Sequence, residues 1–138
     1  MRNLFQFVTI FVAFALLAGC NNNVGLKGKV TFKDDGSPLT IGTVAFLKDG
    51  HIARATLDDQ GNYVVGFEEE ANGLPSGRWT VYITGALEIL EKDERGATIR
   101  SAPLIDAKYE SPETSGLVLD VDASTREFNI EVERAVKR

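Results

Sequence analysis

The sequence predicts an all-β domain, an antiparallel seven-stranded β-sandwich. Three observations support this prediction. Apolar and polar residues alternate in seven short segments after residue 23, which is the pattern of strands with one buried face. Segments rich in Gly, Asp and Pro separate them and supply turn residues. Short strands at this spacing are typical of two sheets that face each other across one core.

Short turn segments connect the first four predicted strands. Asp34–Pro38 links the first two, the Asp-Gly pair in Lys48–His51 predicts a tight hairpin, and Asp58–Asn62 predicts another turn. The inward registers are Val24, Leu26, Gly28, Val30 and Phe32; Val44 and Phe46; Ala53, Ala55 and Leu57; Tyr63, Val65 and Phe67.

The last three strands carry the tryptophan and the carboxyl-terminal part of the domain. The turn Gly73–Gly77 precedes the first of them. Their inward registers are Trp79, Val81 and Ile83; Leu117, Leu119 and Val121; Phe128, Ile130 and Val132. We expect these apolar side chains, like those of the first four strands, to fill one shared core.

The segment 86–96 breaks the pattern of alternation. Glu88 and Lys92 stand four residues apart with the acidic residue first, which favours a helical turn. We therefore predict a loop with some helical character, and a strand extension followed by a charged loop is the alternative. Ile99 and Leu104–Ile105 are candidates for an added edge strand, since Pro103 argues against a deep sheet position.

The first nineteen residues read as a secretory leader. Arg2 supplies a positive start, Leu4–Ala18 is almost wholly apolar, and Leu17–Cys20 reads Leu-Ala-Gly-Cys, which resembles the lipobox of bacterial lipoproteins. The apolar run is about fifteen residues, short of the roughly 20 that span a bilayer. We expect cleavage before Cys20 and acylation of its thiol; an ordinary leader with a chance cysteine is the other interpretation. The predicted organisation is 1–19 signal peptide, 20–23 tether, 24–134 β-sandwich and 135–138 tail.

Composition restricts the partners. The leader carries one positive charge and no acidic residue, so the mature chain has a formal charge of −6 rather than −5. An acidic surface disfavours nucleic acid, which needs clustered Lys and Arg. Attachment to a membrane would then come from acyl chains on Cys20. We expect an exported protein on a bacterial envelope membrane. In lipoproteins of Gram-negative bacteria an Asp after the cysteine favours the inner membrane, so the resemblance to them, with Asn21 at this position, implies the outer membrane in such a host.

Six pieces of the chain follow one another in a recognisable order: Val24–Val30, Gly36–Leu39 with Gly42–Phe46, Asp59–Tyr63, Gly73–Val81, Lys108–Tyr109 and Thr114–Leu117. Their order resembles that of small bacterial lipoproteins with one carboxypeptidase-regulatory-like, or transthyretin-like (prealbumin-like), domain. The resemblance implies an Ig/prealbumin-like sandwich and an envelope location, and it implies no reaction.

A search for chemistry yields no catalytic residue, no metal site and no cofactor. His51 is the only histidine and is expected in a turn; a nucleophilic triad needs a base that a third group orients, so a single turn histidine is a poor candidate. Asp58–Asn62 and the pair Asp120 and Asp122 offer oxygen ligands but lack calcium-loop spacing. Two non-enzymatic functions remain: a structural or protein-interaction module for an unknown envelope protein, or a carbohydrate-binding module.

The aromatic residues discriminate between these two functions. A glycan reader would expose two or more coplanar rings. Most rings fall in apolar registers and are expected in the core. The exceptions are Tyr82, on a polar strand face, and Tyr109, in a polar loop; either is a candidate for a surface contact or simply a partly covered tyrosine. The oligomeric state stays open at this stage.

Overall fold

The computed structural model describes residues 23–66 and 73–137. Cys20 and the leader lie outside these residues, as does Phe67. The described part forms eleven strands and one short 3₁₀ helix, and it contains no helix long and apolar enough to cross a membrane. The strands are β1 Asn23–Val24, β2 Lys27–Phe32, β3 Thr43–Lys48, β4 His51–Thr56, β5 Asn62–Val64, β6 Leu74–Pro75, β7 Gly77–Thr84, β8 Leu87–Lys92, β9 Thr98–Pro103, β10 Leu117–Val121 and β11 Ile130–Val132; the 3₁₀ helix is Ala107–Glu110.

Two sheets build the body of the domain. The first is four-stranded and antiparallel, in the order β10-β7-β3-β4, and the second is three-stranded, in the order β11-β2-β5. Both contribute side chains to a single core, so they form a sandwich. The largest side chains in that core with almost no exposed surface are Trp79, Phe46, Leu26, Leu39, Leu74, Ile83, Ile105 and Ile130.

All seven predicted strands are present, and their inward registers are confirmed for most described positions. In β7 the three predicted core residues Trp79, Val81 and Ile83 are buried. The expectation of seven strands, all antiparallel, is wrong in two respects. Four further strands exist, and β11 pairs with β2 in parallel, Ile130 opposite Val30. The parallel pairing arises because the chain passes from β10 in one sheet to β11 in the other instead of returning through a hairpin.

The segment 86–96 is not a helical loop but one half of a β-hairpin. β8 pairs antiparallel with β9, which includes Ile99 as an added strand, and Pro103 is its last residue. Asp93 begins the turn between them, and its carboxylate accepts hydrogen bonds from the backbone of Arg95 and Ala97. This turn ends β8 after six residues, which is too short for a stable helix. The backbone groups of β8 instead form hydrogen bonds with β9. We call residues 87–103 the arm.

The chain enters the domain at one end of β7, and the arm leaves it at the other. Asn23 in β1 pairs with Pro75, two residues before β7 begins. The arm begins at Leu87, three residues after β7 ends. An eight-residue strand is about 26 Å long at ~3.3 Å per residue. The domain's amino-terminal strand and the base of the arm therefore lie at opposite ends of the sandwich.

Candidate functional site: an exposed β-hairpin arm

The arm is exposed on both of its faces. Every residue of β8 is exposed, and every residue of β9 except Ala102. Leu90 is 46% exposed and Ile99 is 60% exposed, and Leu87 and Ile89 are also exposed. A two-stranded hairpin is only marginally stable in water without a packed face. Apolar residues concentrated on such an element mark an interaction surface.

The pairing of the two strands is irregular at the apolar positions. Ile89 lies opposite Ser101 and Glu91 lies opposite Arg100, so Leu90 between them has no register partner. On β9 the same holds for Ile99. Each is the extra residue of a bulge. Bulges bend a strand and re-aim its side chains.

The base of the arm is anchored in the core. Ala86 is buried, and its carbonyl accepts a hydrogen bond from the backbone of Leu104 at 2.9 Å. A Cβ atom on Gly42 would lie 3.5 Å from Ala86, so the loop before β3 packs directly against this point. Ile41 in that loop is exposed. The loop thus carries a further apolar residue next to the position from which the arm starts.

The arm carries charges of both signs in nearly equal number. Between positions 87 and 103 there are four acidic residues, Glu88, Glu91, Asp93 and Glu94, and three basic residues, Lys92, Arg95 and Arg100. None of the ion pairs found in the described part of the chain involves any of these side chains. The arm is therefore almost neutral in an otherwise acidic protein, and its charges are available to a partner.

A second surface is an open groove on the outer face of the three-stranded sheet. Lys27 and Lys29 of β2 line it, together with Asn129 and Glu131 from the β11 side. Lysines, amides and carboxylates alternate here, so the groove has no dominant charge. Tyr63 also borders it, but its hydroxyl donates a hydrogen bond to the carbonyl of Phe128. This surface offers polar groups and no stacked aromatic rings.

The aromatic residues are mostly buried. Five of the seven described rings are buried, and Tyr82 and Phe128 are half-buried. The placement of Tyr109 in a loop is wrong, and of the two possibilities for its ring, surface contact or partial cover, the structure excludes the surface contact. Tyr109 lies in the 3₁₀ helix capped by Asp106 and is buried, with the Lys108 ammonium 5.0 Å from its ring centre. The helical turn directs this ring inward, which the polar sequence around it does not indicate.

Two of the candidate metal ligands, Asp58 and Asp122, accept hydrogen bonds within their own turns. The Asp58 carboxylate accepts hydrogen bonds from the backbone of Asn62 and Gln60, and these bonds lower its pKa. Asp122 accepts hydrogen bonds from Ser124 in the same way, which also lowers its pKa. In the described ranges no three His, Cys, Asp or Glu residues lie close enough together to hold a metal ion.

His51 occupies the first position of β4 rather than the turn itself. The turn is formed by Asp49 and Gly50, with φ values of 49° and 78°. These values match the two-residue hairpin that the Asp-Gly pair predicts. His51 is exposed and pairs with Lys48 across the hairpin. The predicted hairpin over Lys48–His51 is therefore confirmed, and His51 directly follows its two central residues.

No protein-family model matches this sequence, and no curated protein matches it. Among solved structures the chain is similar to a DUF3823 family protein from Bacteroides ovatus, with 15% identity and a TM-score of 0.45, over 80% of this chain and 44% of that one. It is similar to BcpA, the major pilin subunit of Bacillus cereus, with 10% identity and a TM-score of 0.47, over 83% and 30%. It is also similar to a 9R-lipoxygenase from Cyanothece, with 13% identity and a TM-score of 0.43, over 82% and 17%.

The chain spans less than half the length of each of these three proteins. At these identities and TM-scores, nothing about their activities is carried over to this chain. The candidate site is therefore argued from its own residues.

Proposed function

We propose that this chain is a lipid-anchored lipoprotein of the bacterial cell envelope whose prealbumin-like sandwich is a non-catalytic protein-interaction module. The arm is the surface through which it interacts. The observation that carries the proposal is the exposure of Leu87, Ile89, Leu90 and Ile99 on a hairpin that has no covered face. Apolar side chains in such a position are stabilised by burial against a partner.

The position of the arm supports a role in contact rather than in anchoring. Cys20, the expected site of acylation, precedes the first described strand by three residues. That strand lies at the opposite end of β7 from the arm, so a chain tethered at Cys20 would carry the arm on the side of the domain away from the tether. The arm holds four acidic and three basic residues, so it has no net attraction to an anionic lipid surface.

The carbohydrate-binding alternative has less support. Sugar rings stack on exposed aromatic side chains. In residues 23–66 and 73–137 the two least buried rings, Tyr82 and Phe128, are half-buried, and the groove beside β2 presents lysines, amides and carboxylates instead. We therefore favour a protein partner over a glycan.

The test is chemical cross-linking in intact cells. It compares the full-length wild-type chain with one double variant in the arm and one single variant outside it. We expect Ile89→Ser together with Leu90→Ser to abolish the cross-linked products of the wild type without changing the melting temperature. Val64→Ser is the matched control, because Val64 is equally exposed on the opposite sheet and lies outside the arm. Products that survive the arm substitutions, or that are lost only with Val64→Ser, would contradict the proposal.

A further inference from the structure

The arm has a charge pattern that is complementary to itself. In β8 the acidic residue Glu88 and the basic residue Lys92 stand two positions before and two positions after Leu90. When a strand pairs antiparallel with an identical strand about position 90, residue 88 of each copy lies opposite residue 92 of the other. Two opposite-charge pairs then flank a contact between two leucines.

We propose that the arm docks on the arm of a second copy of this chain, with the two β8 strands antiparallel about a two-fold axis at Leu90. This inference rests on the proposed function as an interaction module and names the partner. A two-fold axis makes the contact self-complementary, so it closes as a dimer. Both apolar residues near the axis, Ile89 and Leu90, lose exposed surface in the contact.

The same pattern disfavours the neighbouring registers. A shift of one residue in one direction places Glu88 opposite Glu91 of the second copy. A shift in the other direction places Glu88 opposite Asp93. Like charges directly opposite each other are destabilising between strands, whereas opposite charges are stabilising. The register centred on Leu90 is therefore favoured over both of its neighbours by charge alone.

Net charge favours the arm over the rest of the surface as the point of contact. The chain has a formal charge of −5, and the arm accounts for only one of these negative charges, since it holds four acidic and three basic residues. Outside the groove beside β2, two copies that meet elsewhere would bring acidic surfaces together, whereas two arms meet with little repulsion. The bulges at Leu90 and Ile99 fit a contact made through side chains rather than through a continuous backbone ladder.

The experiment uses disulfide formation in the full-length chain on membranes. Leu90→Cys places a thiol at the two-fold axis, within reach of the identical thiol in the second copy. We expect a disulfide-linked dimer on a non-reducing gel after mild oxidation. Val64→Cys, 54% exposed on the other sheet, is the matched control and should give about tenfold less dimer, near the level of the unsubstituted chain.

Charge reversal tests the register. In the Leu90→Cys background, Glu88→Lys alone or Lys92→Glu alone places like charges opposite each other and should reduce the dimer about fivefold. The double change E88K and K92E restores opposite charges and should restore the dimer. Cross-linking of Leu90→Cys no greater than that of Val64→Cys, yields insensitive to both reversals, or a product with the mass of a different protein would each overturn the proposal.

The two proposals fail in different ways. Repeating the experiment with Cys20→Ser leaves position 90 as the only thiol. Membrane association that persists in Cys20→Ser counts against the anchor and leaves the dimer readout intact. Loss of the dimer in a chain that is still membrane-bound counts against arm pairing alone.

Discussion

The hydroxyl of Tyr63 donates a hydrogen bond to the main-chain carbonyl of Phe128, 65 residues further along the chain. This bond crosses β2 and joins β5 to the segment that enters β11. Burial raises the pKa of Tyr63, so the hydroxyl keeps its proton and remains a donor. The bond passes directly over Gly28 in β2, where a Cβ atom would lie 2.6 Å from the tyrosine oxygen.

Gly28→Ala should therefore destabilise the domain. The added methyl group collides with the Phe128 carbonyl and with the Tyr63 hydroxyl, both of which are held in place, and overpacking of this kind costs about 1–3 kcal/mol. Gly25→Ala is the control, because nothing lies within 4 Å of the corresponding position. Urea unfolding measures both variants. Equal stability of the two would show that the sheet relaxes around the methyl group at no cost.

Trp79→Ala should cost roughly 3–5 kcal/mol of unfolding free energy. The ring is buried in the core, its indole nitrogen donates a hydrogen bond to the Pro75 carbonyl at 3.0 Å, and the Lys48 ammonium lies 5.9 Å from the ring centre. Since this is the only tryptophan in the chain, its fluorescence reports on the site directly. We expect blue-shifted emission that moves to the red on unfolding. Emission at the position of free tryptophan in the folded protein would contradict this placement.

The stability of the domain should fall in acid, in part through Asp58. Hydrogen bonds from the backbone of Asn62 and Gln60 lower its pKa below the ordinary value of 3.8. The unfolded state then binds more protons in this range, so the contribution of Asp58 is fully present above about pH 4 and is lost as the pH falls through the lowered pKa. We expect Asp58→Asn to lower the melting temperature at neutral pH. At about pH 2 we expect the melting temperatures of the variant and the wild type to be equal.

Asp59→Asn provides the control for the acid experiment. It removes an adjacent carboxylate that accepts no hydrogen bond within the described residues, and it should follow the wild type at every pH. A constant difference in melting temperature between wild type and Asp58→Asn from about pH 7 to about pH 2 would show that the carboxylate charge contributes nothing to the turn.

Chelators and His51→Ala should leave the domain unchanged. His51 lies exposed at the start of β4, and the carboxylates of Asp58 and Asp122 already accept backbone hydrogen bonds in their own turns. We expect the melting temperature to stay within error in excess EDTA and in the variant. A large loss of stability with EDTA alone would identify one of these two turns as a metal site. Esterase, peptidase or glycosidase turnover that disappears in His51→Ala would contradict the non-catalytic proposal.

Cys20→Ser should abolish labelling of the chain with a radioactive or clickable fatty acid. It should also leave the leader uncleaved by the lipoprotein route, so that the chain runs at higher mass. Ser76→Ala serves as a control for expression, since Ser76 is exposed and lies well after the leader in the sequence. Unchanged lipid labelling in Cys20→Ser would refute the anchor.

Much of the sandwich was predictable because the alternation of apolar and polar residues is local. Five residues suffice to predict the buried face of β7, since Trp79, Val81 and Ile83 alternate with polar residues. Two residues, Asp49-Gly50, suffice to predict the hairpin between β3 and β4. The burial of Tyr109 was not predictable in the same way. Its neighbours are polar, and only the packing of the 3₁₀ helix on β7 turns the ring inward.

The strand structure of the arm was likewise not predictable from its local sequence. The charge spacing of Glu88 and Lys92 suits a helix as well as a strand. The strand forms rather than the helix because residues 98–103 pair with β8 once the turn at Asp93 brings the two segments together. Whether Leu90 and Ile99 were buried or exposed was equally undetermined, because burial depends on what the rest of the chain places above them.

The sequence by itself determined the class of fold and the inward face of most strands, since both depend on neighbours a few residues apart, whereas processing at Cys20 stays a prediction. Only the tertiary structure decided that β11 runs parallel to β2 and that the arm stands clear of the core. Both depend on contacts between segments far apart in the chain. Such contacts are stabilised by burial of the core as a whole, and a pattern of neighbouring residues does not predict which distant segments meet there.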